Sequence, residues 1–133
     1  MTKRTILIVD DDPEFRCLLQ EIVGSGGYST LEAKDGNEGL SLARKAKPDM
    51  ILLDIEMPGM NGYEVCKAVR ADPAIGRTPV LLVTVHSKLP ELVKGLKAGA
   101  NDHLTKPFDP EEVLLRIHGV FKAAGTAGKD NAP

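Results

Sequence analysis

Hydrophobic positions along the chain come in two rhythms. Short apolar runs, Thr5 to Val9, Met50 to Leu53 and Val80 to Val83, are dense in Ile, Leu and Val, as in strands buried on both faces of a parallel sheet. Tyr28 to Ala33 and Asp102 to Thr105 are shorter-patterned strand candidates between turn signals. Between these runs apolar residues recur every three or four positions. Phe15, Leu18, Leu19, Ile22 and Val23 share one helical face. So do Val65, Cys66 and Val69, then Leu92, Val93 and Leu96, and finally Val113, Leu114, Ile117, Val120 and Phe121. Helices are predicted from Pro13 to the Gly24-Ser25-Gly26-Gly27 stop, from Asp35-Gly36 to about Lys47, from Tyr63 to Ala71, from Leu89 to Ala98, and from Pro110 to about Ala124. Asp12-Pro13 reads as an N-cap followed by proline at the first helical position. Asp109-Pro110-Glu111-Glu112 repeats that signal with a Glu placed to reach back. Five strand-helix units predict an α/β fold, a doubly wound five-stranded parallel sheet with right-handed crossovers and helices on both faces.

In such sheets ligands bind outside the carboxyl ends of the strands, where strand order reverses. Chemistry-bearing residues sit at those ends here: Asp10 and Asp11 after the first strand, Asp54 after the third, Thr84 after the fourth, Lys106 after the fifth. Pro58, Gly59 and Gly62 stop the third strand just beyond Asp54, so a carboxylate stands where a buried strand meets a loop. Such a group needs a cation, a metal or hydrogen-bond donors. At an effective dielectric near 20, two like charges about 5 Å apart repel by roughly 3 kcal/mol, so either a carboxylate is protonated or a hard cation binds. Oxygen-only ligands suit Mg²⁺. A carboxylate nucleophile, a divalent metal, the Lys106 ammonium and the Thr84 hydroxyl are the parts of a phosphoryl-transfer site, with Asp54 as the acceptor.

Composition narrows the setting. The chain has 133 residues, 42% hydrophobic and 27% charged, which fits one soluble domain. No apolar run approaches the roughly 18 residues of a membrane span, and the basic Met1-Thr2-Lys3-Arg4 precedes too short an apolar stretch for a signal peptide. A cytoplasmic protein is expected. The net charge of −2 and the lack of an Arg-rich segment argue against direct nucleic-acid binding by this domain. Cys17 and Cys66 are expected as buried thiols, Tyr28 and Tyr63 as partly packed, Met57 and Met60 as loop packing, and Glu32, Lys34, Glu38 and Arg44 as a solvated face. His118 is expected to be solvated or partner-facing. Gly125 to Pro133 has no periodicity and reads as a flexible tail or the start of a linker after a domain of residues 1–124.

Ile8-Val9-Asp10-Asp11-Asp12, the stretch from Leu53 to Gly62, Val83-Thr84 and Lys106-Pro107-Phe108 together closely resemble the receiver domain of two-component response regulators, over about residues 5 to 124. The resemblance implies a flavodoxin-like (βα)5 fold with strand order 2-1-3-4-5. It implies that Asp54 is phosphorylated by a sensor histidine kinase or a histidine phosphotransfer protein. Mg²⁺ would be ligated by Asp11, Asp54 and the backbone carbonyl of Glu56, with Asp10 holding metal-bound water. Lys106 would pair with Asp54 and then with phosphoryl oxygens, the Lys106-Pro107 bond would be cis, and Thr84 would couple the site to the surface of helix 4, strand 5 and helix 5. The family's output would be a downstream protein target or an output domain missing from this chain, and the resemblance allows a dimer through that surface.

Three departures from the family pattern matter. His103 stands where an aromatic switch residue is usual, and an imidazole can charge near neutral pH. Val85, after Thr84, is branched where small residues are common and would narrow access to Asp54. Glu56 and His86 flank the phosphoryl position and would tune its lifetime. A phosphohydrolase of the haloacid-dehalogenase type would place its nucleophile after the first strand, with a second Asp two residues on, whereas Glu56 follows Asp54 here. A flavin or nucleotide module would need a glycine-rich first turn where this one is acidic. A degenerate receiver acting as a protein-binding module would keep the fold without the chemistry.

Overall fold

Each apolar run becomes a strand and each periodic stretch a helix. The structure, a computed structural model, describes residues 3–85 and 88–125. Its elements alternate as β1 (Thr5–Val9), α1 (Pro13–Ser25), β2 (Ser29–Ala33), α2 (Gly36–Ala46), β3 (Met50–Asp54), α3 (Gly62–Ala71), β4 (Val80–Thr84), α4 (Leu89–Ala98), β5 (Asp102–Thr105) and α5 (Pro110–Ala123). The strands form one parallel sheet in the order β2-β1-β3-β4-β5, as expected. The chain leaves β1 toward one edge for β2 and returns to its other side for β3. Strand order therefore reverses between β1 and β3, and their carboxyl ends open a crevice. Among the described residues, no helix is long and apolar enough to cross a membrane.

Side-chain alternation along the strands divides the core in two. Leu7, Val9, Ile51, Leu53 and Leu82 pack on one face against α2 and α3, through Leu40, Ala43, Val65, Cys66 and Val69. Ile6, Ile8, Met50, Leu52, Leu81 and Val83 pack on the other against α1 and α5, through Leu19, Ile22, Val23, Val113, Ile117 and Phe121. Every residue of β3 and β4 is buried, which explains their unbroken apolar sequences.

Several local expectations are corrected. The α1 stripe is narrower than its spacing suggests, since Leu18 is largely exposed, and Cys17 is exposed rather than buried. In α4 the buried residues are Gly95 and Ala98, while Leu89, Val93 and Leu96 face out. The cause is close approach: a Cβ on Gly95 would lie 2.8 Å from Leu82 Cδ1, so α4 seats its smallest residues on the sheet. Tyr63 is buried more completely than a partly packed residue. Tyr28 precedes β2 instead of starting it, its ring 5.8 Å from that of Phe121. At α5, Asp109 is the N-cap residue but its side chain makes no capping hydrogen bond. Its carbonyl accepts from Val113 N, and Glu112 turns to Arg116 (3.7 Å) instead of back to the cap. The reciprocal capping box lies at Asn61 and Glu64, opening α3. Residues 126–133, expected as tail or linker, lie outside the described residues.

At the far end of the sheet from the crevice, one guanidinium joins three segments. Arg70 Nε donates to Gly99 O (2.9 Å), Nη1 to Thr78 O (2.6 Å) and Gly76 O (3.3 Å), and Nη2 to Asn101 Oδ1 (2.9 Å). The last oxygen also accepts from Val80 N (2.9 Å), so the end of α3, the approach to β4 and the approach to β5 share a single anchor. Charge-assisted hydrogen bonds to otherwise unpaired carbonyls are worth more than neutral ones. Arg70→Ala should lower stability by roughly 2–4 kcal/mol, with Arg70→Lys recovering less than half because an ammonium lacks the planar fork; urea unfolding measures both.

Candidate functional site

The crevice gathers residues from four strand ends. Asp10 follows β1, its amide still pairing with Ala33 O (3.2 Å), and Arg16 Nη1 donates to its carbonyl (2.8 Å). Its carboxylate is buried and doubly engaged: Oδ1 accepts from Asp12 N (2.9 Å) and Oδ2 from Lys106 Nζ (3.1 Å). Asp12 also caps α1 by accepting from Glu14 N. Asp54 is the last residue of β3, its Oδ1 3.6 Å from Lys106 Nζ. Lys106 is set by the sheet, since its amide continues the β5 pairing to Thr84 O (2.7 Å). The Lys106-Pro107 bond is cis. Thr84, ending β4, is buried, and Asp11 is exposed. One carboxylate oxygen from each of Asp10, Asp11 and Asp54 lies within 4.8 Å of the others.

The loop after Asp54 must turn at once, and Gly62 makes this feasible. Its amide donates to Ile55 O (2.9 Å), and a Cβ there would strike the Asp54 carbonyl oxygen and come within 2.7 Å of Ile55 Cα. Met57 is buried and Met60 packs against the core, as expected for the loop, while Glu56 is exposed. A groove of about 570 Å³ opens beside this loop, lined by Ile55, Glu56, Met57, Pro58, Tyr63 and Lys94 among others, and gives Glu56 room to move.

The charge balance is unfavourable as it stands. Burial, reinforced by Asp10 and Asp11, pushes the Asp54 carboxyl up to about 6, against the opposing pull of Lys106 and of the Ile55 amide. One ammonium does not offset three carboxylates. An all-oxygen donor set of this kind fits a hard divalent cation better than a transition metal.

His103 is half-buried on β5, its Nδ1 3.7 Å from Asp102 Oδ1, and Arg116 Nη1 holds both oxygens of that carboxylate at 3.2 Å. Thr84, His103, Leu92, Leu96 and Ala100 are among the residues lining a slot under α4 of only about 10 Å³, near the minimum for one water. An imidazole can enter that slot only if α4 shifts. Val85 is 58% exposed. His86 lies outside the described residues. His118 is exposed, and Glu32, Lys34, Glu38 and Arg44 form the expected exposed face, with Arg16–Glu32 (3.1 Å) and Arg44–Asp72 (2.9 Å) ion pairs across it.

One neighbour of the site was hidden in a helix pattern. Lys106 Nζ lies 4.1 Å from the centroid of the Phe15 ring, which in turn meets Phe108 at 6.2 Å, tilted by 60°. The available signal was position: Phe15 sits in the first turn of the helix that leaves the acidic strand end.

The raised Asp54 value fixes a pH dependence. Below about pH 4 the group is protonated in folded and unfolded chains alike; between about 4 and 6 only the folded chain keeps the proton, so its stability falls as pH rises through that window, by about 2–3 kcal/mol. In chelator-treated protein, Asp54→Asn should therefore be more stable than wild type by about that amount at pH 7, with the difference closing toward pH 4 in urea titrations.

Residues 6–118 match the response regulator receiver domain family. The chain is 37% identical over 115 residues to the DNA-binding response regulator MtrA of Mycolicibacterium smegmatis, covering 86% of this chain and 49% of that protein. It is 38% identical over 117 residues to the DNA-binding dual master transcriptional regulator RpaA of Synechocystis, covering 88% and 48%. The chain thus spans about half the length of these curated relatives, both of which are named as DNA-binding regulators. Among solved structures, the chemotaxis protein CheY4 of Vibrio cholerae superposes with a TM-score of 0.86 at 35% identity, covering 90% of this chain and 99% of that one. A putative response regulator from Chloroflexus aurantiacus gives 0.87 at 36%, covering 91% and 99%. The chain belongs to the receiver domain family of two-component response regulators.

Proposed function

We propose that this domain is a phosphoryl-accepting signalling switch in which Asp54 takes the phosphoryl group from a phosphohistidine of a sensor histidine kinase or a histidine phosphotransfer protein. The observation that carries the reading is the pairing of a buried Asp54 with Lys106 (3.6 Å) inside a group of three carboxylates. Asp11, Asp54 and the Glu56 backbone carbonyl would hold Mg²⁺, with Asp10 standing behind them, its two oxygens already accepting from Asp12 and Lys106. The ion, when bound, supplies charge neutralisation for the transferring phosphoryl oxygens.

This chain's residues do the rest. An Asp54 carboxylate oxygen attacks phosphorus, the P–N bond of the donor breaks, and its electron pair leaves with the imidazole. Lys106, held between Asp10 and Asp54, turns from the carboxylate to a phosphoryl oxygen. The Thr84 hydroxyl follows the same charge. Its movement frees space under α4, where His103 lines the slot, and so reaches the surface of α4, β5 and α5. Leu89, Val93, Leu96 and Leu115, exposed on that surface, support a dimer or a downstream protein target there. The switching unit is residues 1–124, with residues 125–133 as tail or linker, and an output domain in a longer chain is an equal route for the signal.

Intact mass after incubation with acetyl phosphate should show one added phosphoryl group in wild type, dependent on Mg²⁺ and absent in Asp54→Asn. A metal-independent gain, or one retained in Asp54→Asn, overturns the assignment. Glu56→Ala and His86→Ala should each change the dephosphorylation rate by roughly two- to tenfold, the range of one hydrogen bond, and unchanged decay of the phosphorylated mass in both removes the lifetime role.

A further inference from the structure

We infer that Phe15 is a positioning residue for the phosphoryl transfer, holding the Lys106 ammonium dehydrated and aimed; this rests on the function proposed above. The Lys106 side chain is 8% exposed, and among the described residues its Nζ meets Asp10 Oδ2 at 3.1 Å, Asp54 Oδ1 at 3.6 Å and the Phe15 ring centroid at 4.1 Å. An ammonium has three N–H bonds. Two face carboxylates, and the third faces the negative side of an aromatic quadrupole, where water would otherwise stand. When a phosphoryl group arrives on Asp54, the ammonium has only to exchange one oxygen partner for another, with no hydration shell to shed.

The ring is held for this task from several sides. Pro13 and the Asp12 cap fix the first turn of α1. The guanidinium next in sequence, Arg16, ties that turn to Asp10 O (2.8 Å) and to Glu32 (3.1 Å). Phe108, two residues beyond Lys106, meets the ring from the loop after β5. Phe15 is therefore locked to both strand ends between which Lys106 acts. A leucine or methionine would fill the volume without the quadrupole, leaving the third N–H to recruit water and the ammonium free to leave Asp54.

The test compares wild type with Phe15→Leu, Phe15→Met and Phe15→Tyr. Initial rates of phosphoryl gain from acetyl phosphate are followed by intact mass across a Mg²⁺ series, and the Lys106 ε-methylene protons by NMR. A cation–π contact of ordinary strength corresponds to roughly two- to thirtyfold in rate. Leu and Met should lower the rate at saturating Mg²⁺ within that range, leave the half-saturating Mg²⁺ concentration within about twofold, and abolish the upfield ring shift of the Lys106 protons. Tyr should restore both the rate and the shift. Wild-type rates in Leu and Met, a Tyr variant as slow as they are, or a change confined to Mg²⁺ affinity each overturn the inference. If wild type itself gains no phosphoryl group, the functional reading falls and this inference with it.

Discussion

The constraint on which the structure turns is the burial of more negative than positive charge at one edge of an apolar sheet. Asp10 and Asp54 are nearly inaccessible, Asp11 stands beside them, and the Lys106 ammonium pairs with the first two. A sheet whose central strands are wholly buried cannot relieve this by local unravelling, because β1, β3 and β4 are also the core of the domain. Burial of the Asp54 carboxyl, with the repulsion from Asp10 and Asp11 added to it, is instead expressed as a raised affinity for a proton. A proton, a divalent cation and a phosphoryl group with its counter-ion are different ways of answering the same deficit. This links the stability of the fold to the chemistry of the site.

On the proposed function, the same sheet would couple that edge to a surface. Thr84 ends β4 and Lys106 directly follows the paired β5; the two share a backbone hydrogen bond, so movement at one would reach the other. The weakly seated partner is α4, which rests on Gly95 and Ala98 and turns its larger apolar residues outward. Two charge-assisted contacts to a phosphoryl group, at roughly 1.5–3 kcal/mol each, approach the about 5.5 kcal/mol that takes a two-state equilibrium from 1:99 to 99:1. An element anchored by a large buried stripe would resist such a bias. One seated on a glycine and an alanine is within its reach.

Most of the fold and the charged part of the site were legible in the sequence, for physical reasons that particular residues make plain. The unbroken runs around Ile51 and Leu81 can only be strands covered on both sides, and the polar residues at their ends must then share one edge. The family motifs added the strand order and the cis bond before Pro107. What escaped were features that depend on which way a side chain turns. Leu92, Val93 and Leu96 have the spacing of a buried stripe, yet the close approach of Gly95 to Leu82 rotates α4 so that Val93 and Leu96 face outward. Glu112 was placed to cap α5, but Arg116 one turn on competes for it. Asn61-x-x-Glu64 carried a readable capping signature that the Pro58 and Gly59 breakers obscured. Arg70 gave no signal, since its acceptors are carbonyls and an amide oxygen supplied by two separate segments, the approaches to β4 and β5.

Phe15 shows why sequence periodicity understates a site. Counted along α1 it is one more apolar position beside Leu19 and Ile22, and a hydrophobic pattern does not separate a residue that fills space from one that faces a charge. Its meaning comes from elements far apart in the chain: the strand end that carries Asp10, the loop that carries Lys106, and the arginine that ties α1 to both Asp10 and β2. Water is the competitor at this point. An ammonium exposed to it would be stabilised wherever it went, and its pairing with Asp54 would be only one of several states. Enclosed by two carboxylates and an aromatic face, it has few alternatives, and an electrostatic contact that would be weak in water becomes directional. The aromatic ring thus contributes through exclusion as much as attraction, which is how an apolar residue comes to govern the placement of a charged one.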